Sequence, residues 1–349
     1  MKLGLLAAAA LGLVLGVSHA EATPSIWRRA REPAAASQQL TLNRIERLLS
    51  SVGLPEFDAE LSAGAIALSQ LGQTPWPCVT RDAAQASAAS PEFVLDARLE
   101  YLIGGALLDS QNNREAEARC LLERALRDAP DSPLAAHGLA DLAIAAAKLG
   151  DRVAEHAAYL RALQRTWDPD SRANLFANLA ESDMALGDLR RAIAEYRIAL
   201  SSSQQADLVA GAYFGLAVAL DRSGDLPSAL DAAKRAISVQ LPPTLFPVGS
   251  VLDLPNVFFT PSYEVHYYKA LGAMAAAQLA KDDVARRDAL ADAAEQWTAY
   301  LLRAELDHAP WAPRAALHQA SVARQLTAIT AKLPKNVAPL PALDSPSLL

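Results

Sequence analysis

The stretch "MALGDLRRAIAEYRIAL" (residues 184–200) sets a Gly-Asp pair between two apolar runs that both have helical spacing. Glycine accepts the positive φ at which a helix ends, and the following aspartate can cap the free N–H groups of a second helix. The stretch therefore predicts a helix-turn-helix hinge. Gly150-Asp151, Gly187-Asp188 and Gly224-Asp225 stand 37 residues apart, and one more step back lands on Asn113. Asparagine is the other residue type that tolerates a left-handed backbone.

The columns around the hinge recur as well. Eleven residues before it stand Leu102, Leu139, Phe176 and Tyr213. Eight before it stand Gly105, Leu142, Leu179 and Leu216, each followed by alanine at 106, 143, 180 and 217. After it come Ala118, Glu155, Ala192 and Ala229, then Leu122, Tyr159, Tyr196 and Ala233, then Ala125, Ala162, Ala199 and Ala236. Steps of four and three mark a single helix face. Ser90-Pro91, Ser132-Pro133, Asp168-Pro169 and Thr260-Pro261 each predict a capping side chain ahead of a first-turn proline.

This pattern resembles the tetratricopeptide repeat over residues 95–240, with Phe176, Leu179, Ala192, Tyr196 and Ala199 carrying the likeness best. Alanine replaces the family's glycine after the leucine, Glu155 occupies a column that is usually small, and the terminal proline is in place at Pro130 alone. The resemblance implies an all-α fold, a right-handed α-solenoid of stacked helix-turn-helix repeats. Such a fold is stabilised by neighbouring repeats that bury each other's faces.

The expected organisation is a signal peptide (1–20), an N-terminal helical cap or degenerate repeat (21–90) and four repeats (91–240). A Pro-rich apolar insert (241–260), a fifth divergent repeat with a capping helix (261–332) and a disordered tail (333–349) follow. The signal reading rests on Lys2, the uncharged run Leu3–Val17 and the small residues Ser18 and Ala20 ahead of Glu21. It predicts a chain exported to the periplasm or cell exterior, without a membrane span after cleavage.

Beyond Ala20 the chain carries 31 basic and 39 acidic side chains, a net charge of −8. An acidic balance argues against binding nucleic acid or anionic lipid. Cys78 and Cys120 are the two cysteines; a disulfide between them and a pair of free thiols are both open readings for an exported chain. His137, His156, His266, His308 and His318 show no zinc-helix spacing, and no phosphate loop or nucleophile signature is visible. The sequence therefore predicts no catalytic residue, no metal and no cofactor.

The resemblance also implies a concave groove lined by the first helices of the repeats. Counted from the hinges, Ile103, Leu107, Ile144, Glu181, Phe214 and Val218 fall there, with His137, Lys148, Asn174 and Arg222 as polar neighbours. The family's peptide-binding members hold a C-terminal carboxylate with Lys and Asn at such places. Here the places are mostly apolar, so that clamp is not carried over. An apolar groove suits a partner's apolar helix or strand, or the chain's own insert. Leu245, Phe246, Val251, Leu252, Leu254, Val257, Phe258 and Phe259 are too many apolar residues for a free loop. The function expected is a non-enzymatic interaction scaffold for a protein or peptide partner. A self-associating structural component is the alternative, and an enzyme with an unrecognised site is the third reading.

Overall fold

The computed structural model describes residues 97–109, 114–241, 250–254, 257–334, 337 and 340. The signal peptide, the N-terminal cap, Ser90-Pro91, Cys78, Asn113, Leu245 and Phe246 lie outside the described residues, as does most of the tail.

Among the described residues all regular structure is helical. Four hairpins come first: α1 (Ala97–Asp109) with α2 (Glu115–Asp128), α3 (Ala135–Lys148) with α4 (Arg152–Arg165), α5 (Pro169–Ala185) with α6 (Leu189–Ser202), and α7 (Ala206–Arg222) with α8 (Leu226–Ser238). A single 3-10 turn (Val251–Asp253) interrupts the connection to α9 (Glu264–Leu279), α10 (Asp283–Ala304) and α11 (Ala312–Thr330). Each helix packs on its sequence neighbours, and α1 meets α3, α5 meets α7 and α7 meets α9. The result is an α-solenoid of stacked helix pairs. No helix among the described residues is long and apolar enough to cross a membrane.

The hinges explain the regularity. Gly150, Gly187 and Gly224 have φ of 78°, 88° and 102°. At each one the aspartate N–H reaches back to the carbonyl of Ala146, Asp183 or Leu220, and the glycine N–H to Ala147, Met184 or Asp221. This paired closure is the Schellman arrangement. The aspartate side chain then opens the next helix, with Asp151, Asp188 and Asp225 accepting from the N–H of Ala154, Arg191 and Ser228, each at 3.1 Å. One dipeptide closes one helix and caps the next.

Two of the proline-linked caps differ from expectation. Asp168 caps α5 through Ser171 N–H at 2.8 Å, but α3 opens behind Leu134 and α9 behind Tyr263. Pro133 sits in a turn closed by Ala135 N–H on the Ser132 carbonyl, which delays α3 by half a turn. Thr260 turns its hydroxyl and carbonyl to Arg152 instead, 108 residues away.

The buried core forms two clusters. One runs through α1–α5, the other from α5 to α11, and Phe176 touches both. Between them, α4 and α5 carry a layer of buried polar groups: Glu155, Asn174, Asn178, Ser182 and Asp183. In the second cluster Tyr267 packs edge-on against Trp297 and Tyr300, with ring centroids 4.8 and 5.1 Å apart.

Candidate functional site

The hinge ends of successive hairpins bring charged residues to one side of the stack, where the 257–261 stretch crosses them. Arg152 and Glu155 open α4, Glu181 lies on the last turns of α5, Arg222 ends α7, and Glu264 and Tyr268 open α9. Together with Val257–Pro261 and the α10–α11 turn they enclose a cavity of 340 Å³. Cavities of roughly 300–1,000 Å³ suit small ligands or single side chains. Glu155, Tyr159, Asn178 and Tyr268 are buried on its walls, while Pro261, Asp307, His308 and Pro310 are exposed at its rim.

The 257–261 stretch is a strap fastened at several points. Arg152 Nη2 donates to the Thr260 carbonyl at 2.7 Å and to Thr260 Oγ1 at 2.9 Å. Lys148 Nζ lies 5.7 Å from the centre of the Phe258 ring. Phe258 packs against the first core cluster and Phe259 against the second. Upstream, Val251, Leu252 and Leu254 are buried in the second cluster, and Asp253 pairs with Lys269 at 2.5 Å. The described apolar residues of the insert thus lie against the solenoid.

The carboxylates of the cavity sit in unlike environments. Glu155 accepts from Arg152 Nη1 at 2.8 Å, yet burial outweighs that guanidinium and raises its pKa to about 7. Glu181 accepts from the hydroxyls of Tyr196 and Tyr268, the latter at 2.7 Å to both oxygens. Burial raises its pKa too, and the two phenols oppose that shift. Arg222 pairs with Glu264 and is held between the rings of Tyr267 and Trp311, at 4.8 and 5.2 Å. Burial disfavours its charge, but the Glu264 carboxylate prevails and the guanidinium pKa stands above its ordinary value. Its Nε is buried without an acceptor.

Behind this site lies a second polar cluster. Asp221 is fully buried and accepts from Tyr267 at 2.5 Å and from Arg314 at 2.8 and 2.9 Å, with His318 Nε2 at 3.0 Å. Burial works against its charge, but His318, Arg314 and Tyr267 together lower its pKa to about 2. These contacts fasten α11 to α7. Among the described residues no group of three or more His, Cys, Asp or Glu is placed to hold a metal ion.

The expected apolar groove is not open. Ile103, Leu107, Ile144, Phe214 and Val218 are 0–3% exposed and belong to the core. The cause is close packing of the first helices: the Phe214 ring lies so near Gly272 of α9 that a Cβ there would stand 3.0 Å from it. Asn174 is also buried, accepting from Asn178 Nδ2 at 3.3 Å, and His137 is half-buried. Lys148 is half-buried, pairing with Glu115 at 3.5 Å beside the strap. Of the groove residues expected, Glu181 and Arg222 alone line the cavity. Of the two readings left open for the cysteines, the bonded one holds for Cys120, which is disulfide-bonded; Cys78 lies outside the described residues.

Sequence reasoning missed Arg152, Glu155, Tyr268, Asp307 and Trp311. Glu155 did carry a signal, since it breaks a column that is alanine in the other three repeats. Arg152 directly follows the Gly150-Asp151 hinge and Tyr268 lies on α9, but Asp307 and Trp311 come from the α10–α11 turn, which no repeat register locates.

No family model matches the chain, and no curated protein matches it. Among solved structures it is similar to a MamA mutant, at 17% identity and a TM-score of 0.38, over 60% of this chain and 100% of that one.

Proposed function

We propose that the protein is a non-enzymatic interaction scaffold of tetratricopeptide type, exported to the periplasm or cell exterior, in which the strap holds the place of a partner segment. The observation that carries this reading is the strap itself. An extended piece of chain is already seated across the hinge ends of several hairpins, held by its backbone carbonyl and two aromatic rings. A surface that accepts its own extended segment this way has the features of peptide-in-groove recognition. The stack of helix pairs supplies long surface and little chemistry.

The test is capture from envelope extract with wild type and an Arg152→Ala/Phe258→Ala variant, after circular dichroism shows that both fold. A specific partner recovered in severalfold higher yield by the variant, and cross-linked to α4 or α5, supports the scaffold. Equal recovery places the contact away from the strap and overturns the reading of it. If neither captures a partner and sedimentation shows concentration-dependent assembly, the self-associating alternative takes its place. N-terminal sequencing of exported protein reads the localisation, with Glu21 as the first residue expected.

A further inference from the structure

The cavity beneath the strap has an unbalanced charge inventory. Four carboxyl groups line it, from Glu155, Glu181, Glu264 and Asp307, with burial raising the pKa of Glu155 to about 7 and that of Glu181 above its ordinary value, against the guanidiniums of Arg152 and Arg222 and the imidazole of His308. Arg152 is committed to Glu155 and Thr260, and Arg222 pairs with Glu264 through Nη2. Glu181 makes no ion pair among the described residues; its partners are two phenolic hydroxyls. Glu181 is half-buried and feels Arg222 through space without pairing with it, and a largely desolvated carboxylate with no paired cation is costly unless it is protonated. Asp307 stands exposed at the rim, its carboxylate engaged by Tyr263.

The walls are aromatic, with Tyr159, Tyr268, Phe258, Phe259 and Trp311 facing the cavity. Ring faces attract cations, more strongly where water is excluded. An anion would meet Glu181 and Asp307, neither of which forms an ion pair among the described residues, and an uncharged apolar group would leave Glu181 desolvated.

We propose that this cavity binds an alkylammonium group, with Glu181 as its counter-ion, the aromatic side chains as its walls and Asp307 drawing it to the mouth. The group can arrive as a free aliphatic amine or as the lysine side chain of a polypeptide. The site stands independently of the scaffold reading, because a free amine needs no partner protein.

The experiment is calorimetric titration of the full mature chain with n-butylammonium, with 1-butanol as the uncharged isostere. Saturable binding of butylammonium with none of butanol is expected. Glu181→Gln keeps the shape of the site and one acceptor oxygen for the phenols while removing the charge, and should weaken butylammonium at least tenfold; Asp307→Asn, at an exposed position, should weaken it about two- to threefold. Nα-acetyl-lysine methylamide separates the sources: tighter binding than butylammonium assigns the site to a lysine side chain, weaker binding to a free amine. No saturable binding by wild type, or unchanged affinity in a folded Glu181→Gln, overturns the proposal. Should Glu181→Gln fail to fold, unchanged affinity in Asp307→Asn overturns it.

Discussion

At the scale of single residues, the hinge was legible because backbone geometry admits few residue types there. Gly187 has φ of 88° and no atom within 4 Å of the place a Cβ would occupy, so a side chain would meet strain and not a clash. Gly187→Val should therefore lower stability by about 1–2 kcal/mol through backbone strain alone, read by urea denaturation. Gly187→Asn should lose less. The turn after α10 makes the same closure without glycine: His308 has φ of 51°, with Ala309 N–H on the Ala304 carbonyl and His308 N–H on Glu305. His308→Gly should accordingly stabilise the protein by up to about 1 kcal/mol. A melting temperature unchanged or lowered would show that the histidine is not strained. Nothing in the sequence marks this turn, because it lacks the Gly-Asp pair that identifies the others.

At the scale of elements, helices came through clearly and the strap did not. The apolar density of 251–259 signalled packing, but its seat depends on Arg152 and Thr260, 108 residues apart. That latch also predicts a pH dependence. The carboxyl of Glu155 titrates near 7 in the fold against an ordinary 4.5, so its contribution to stability is complete below 4.5 and is lost as pH rises through about 7. Glu195, raised to about 8 by burial and by Asp183, adds in the same direction. Melting temperature should fall between pH 5 and 8, and Glu155→Gln should flatten the lower part of that fall. The α7–α11 fastening behaves oppositely. Asp221 stands at about 2 against an ordinary 3.8, so its stabilisation is present above 3.8 and is lost as pH falls through about 2. Asp221→Asn should cost about 3 kcal/mol or more, since it leaves Arg314 facing a neutral partner. Equal stability of Asp221→Asn and wild type at pH 7 would mean that α11 is held by its apolar contacts alone.

At the scale of the whole molecule, a stack of hairpins is close to one-dimensional, and its cooperativity depends on how neighbouring units are joined. The joint between the two core clusters is α5, which gives Leu175 and Leu179 to the first and Ala177, Ala180 and Met184 to the second and also carries the buried polar groups Asn174, Asn178 and Asp183. Phe176 crosses it from within the stack. The strap crosses it from outside, with Phe258 on one cluster and Phe259 on the other. It therefore adds an outer bridge between two halves that are otherwise joined through α5 and its Phe176 ring. The repeat register could not reveal this, since the same columns recur on both sides of the joint and the bridging rings lie outside the period. Removing the bridge should separate the halves. Phe258→Ala/Phe259→Ala should turn a single calorimetric transition into a broadened or split one, with a van't Hoff enthalpy below the calorimetric value. The half containing α1–α4 should melt first, because it lacks the aromatic cluster of Tyr267, Trp297 and Tyr300 that consolidates the other. A transition that shifts down in temperature yet stays two-state would assign the coupling to α5, which packs into both clusters, and leave the strap as a cover on the cavity.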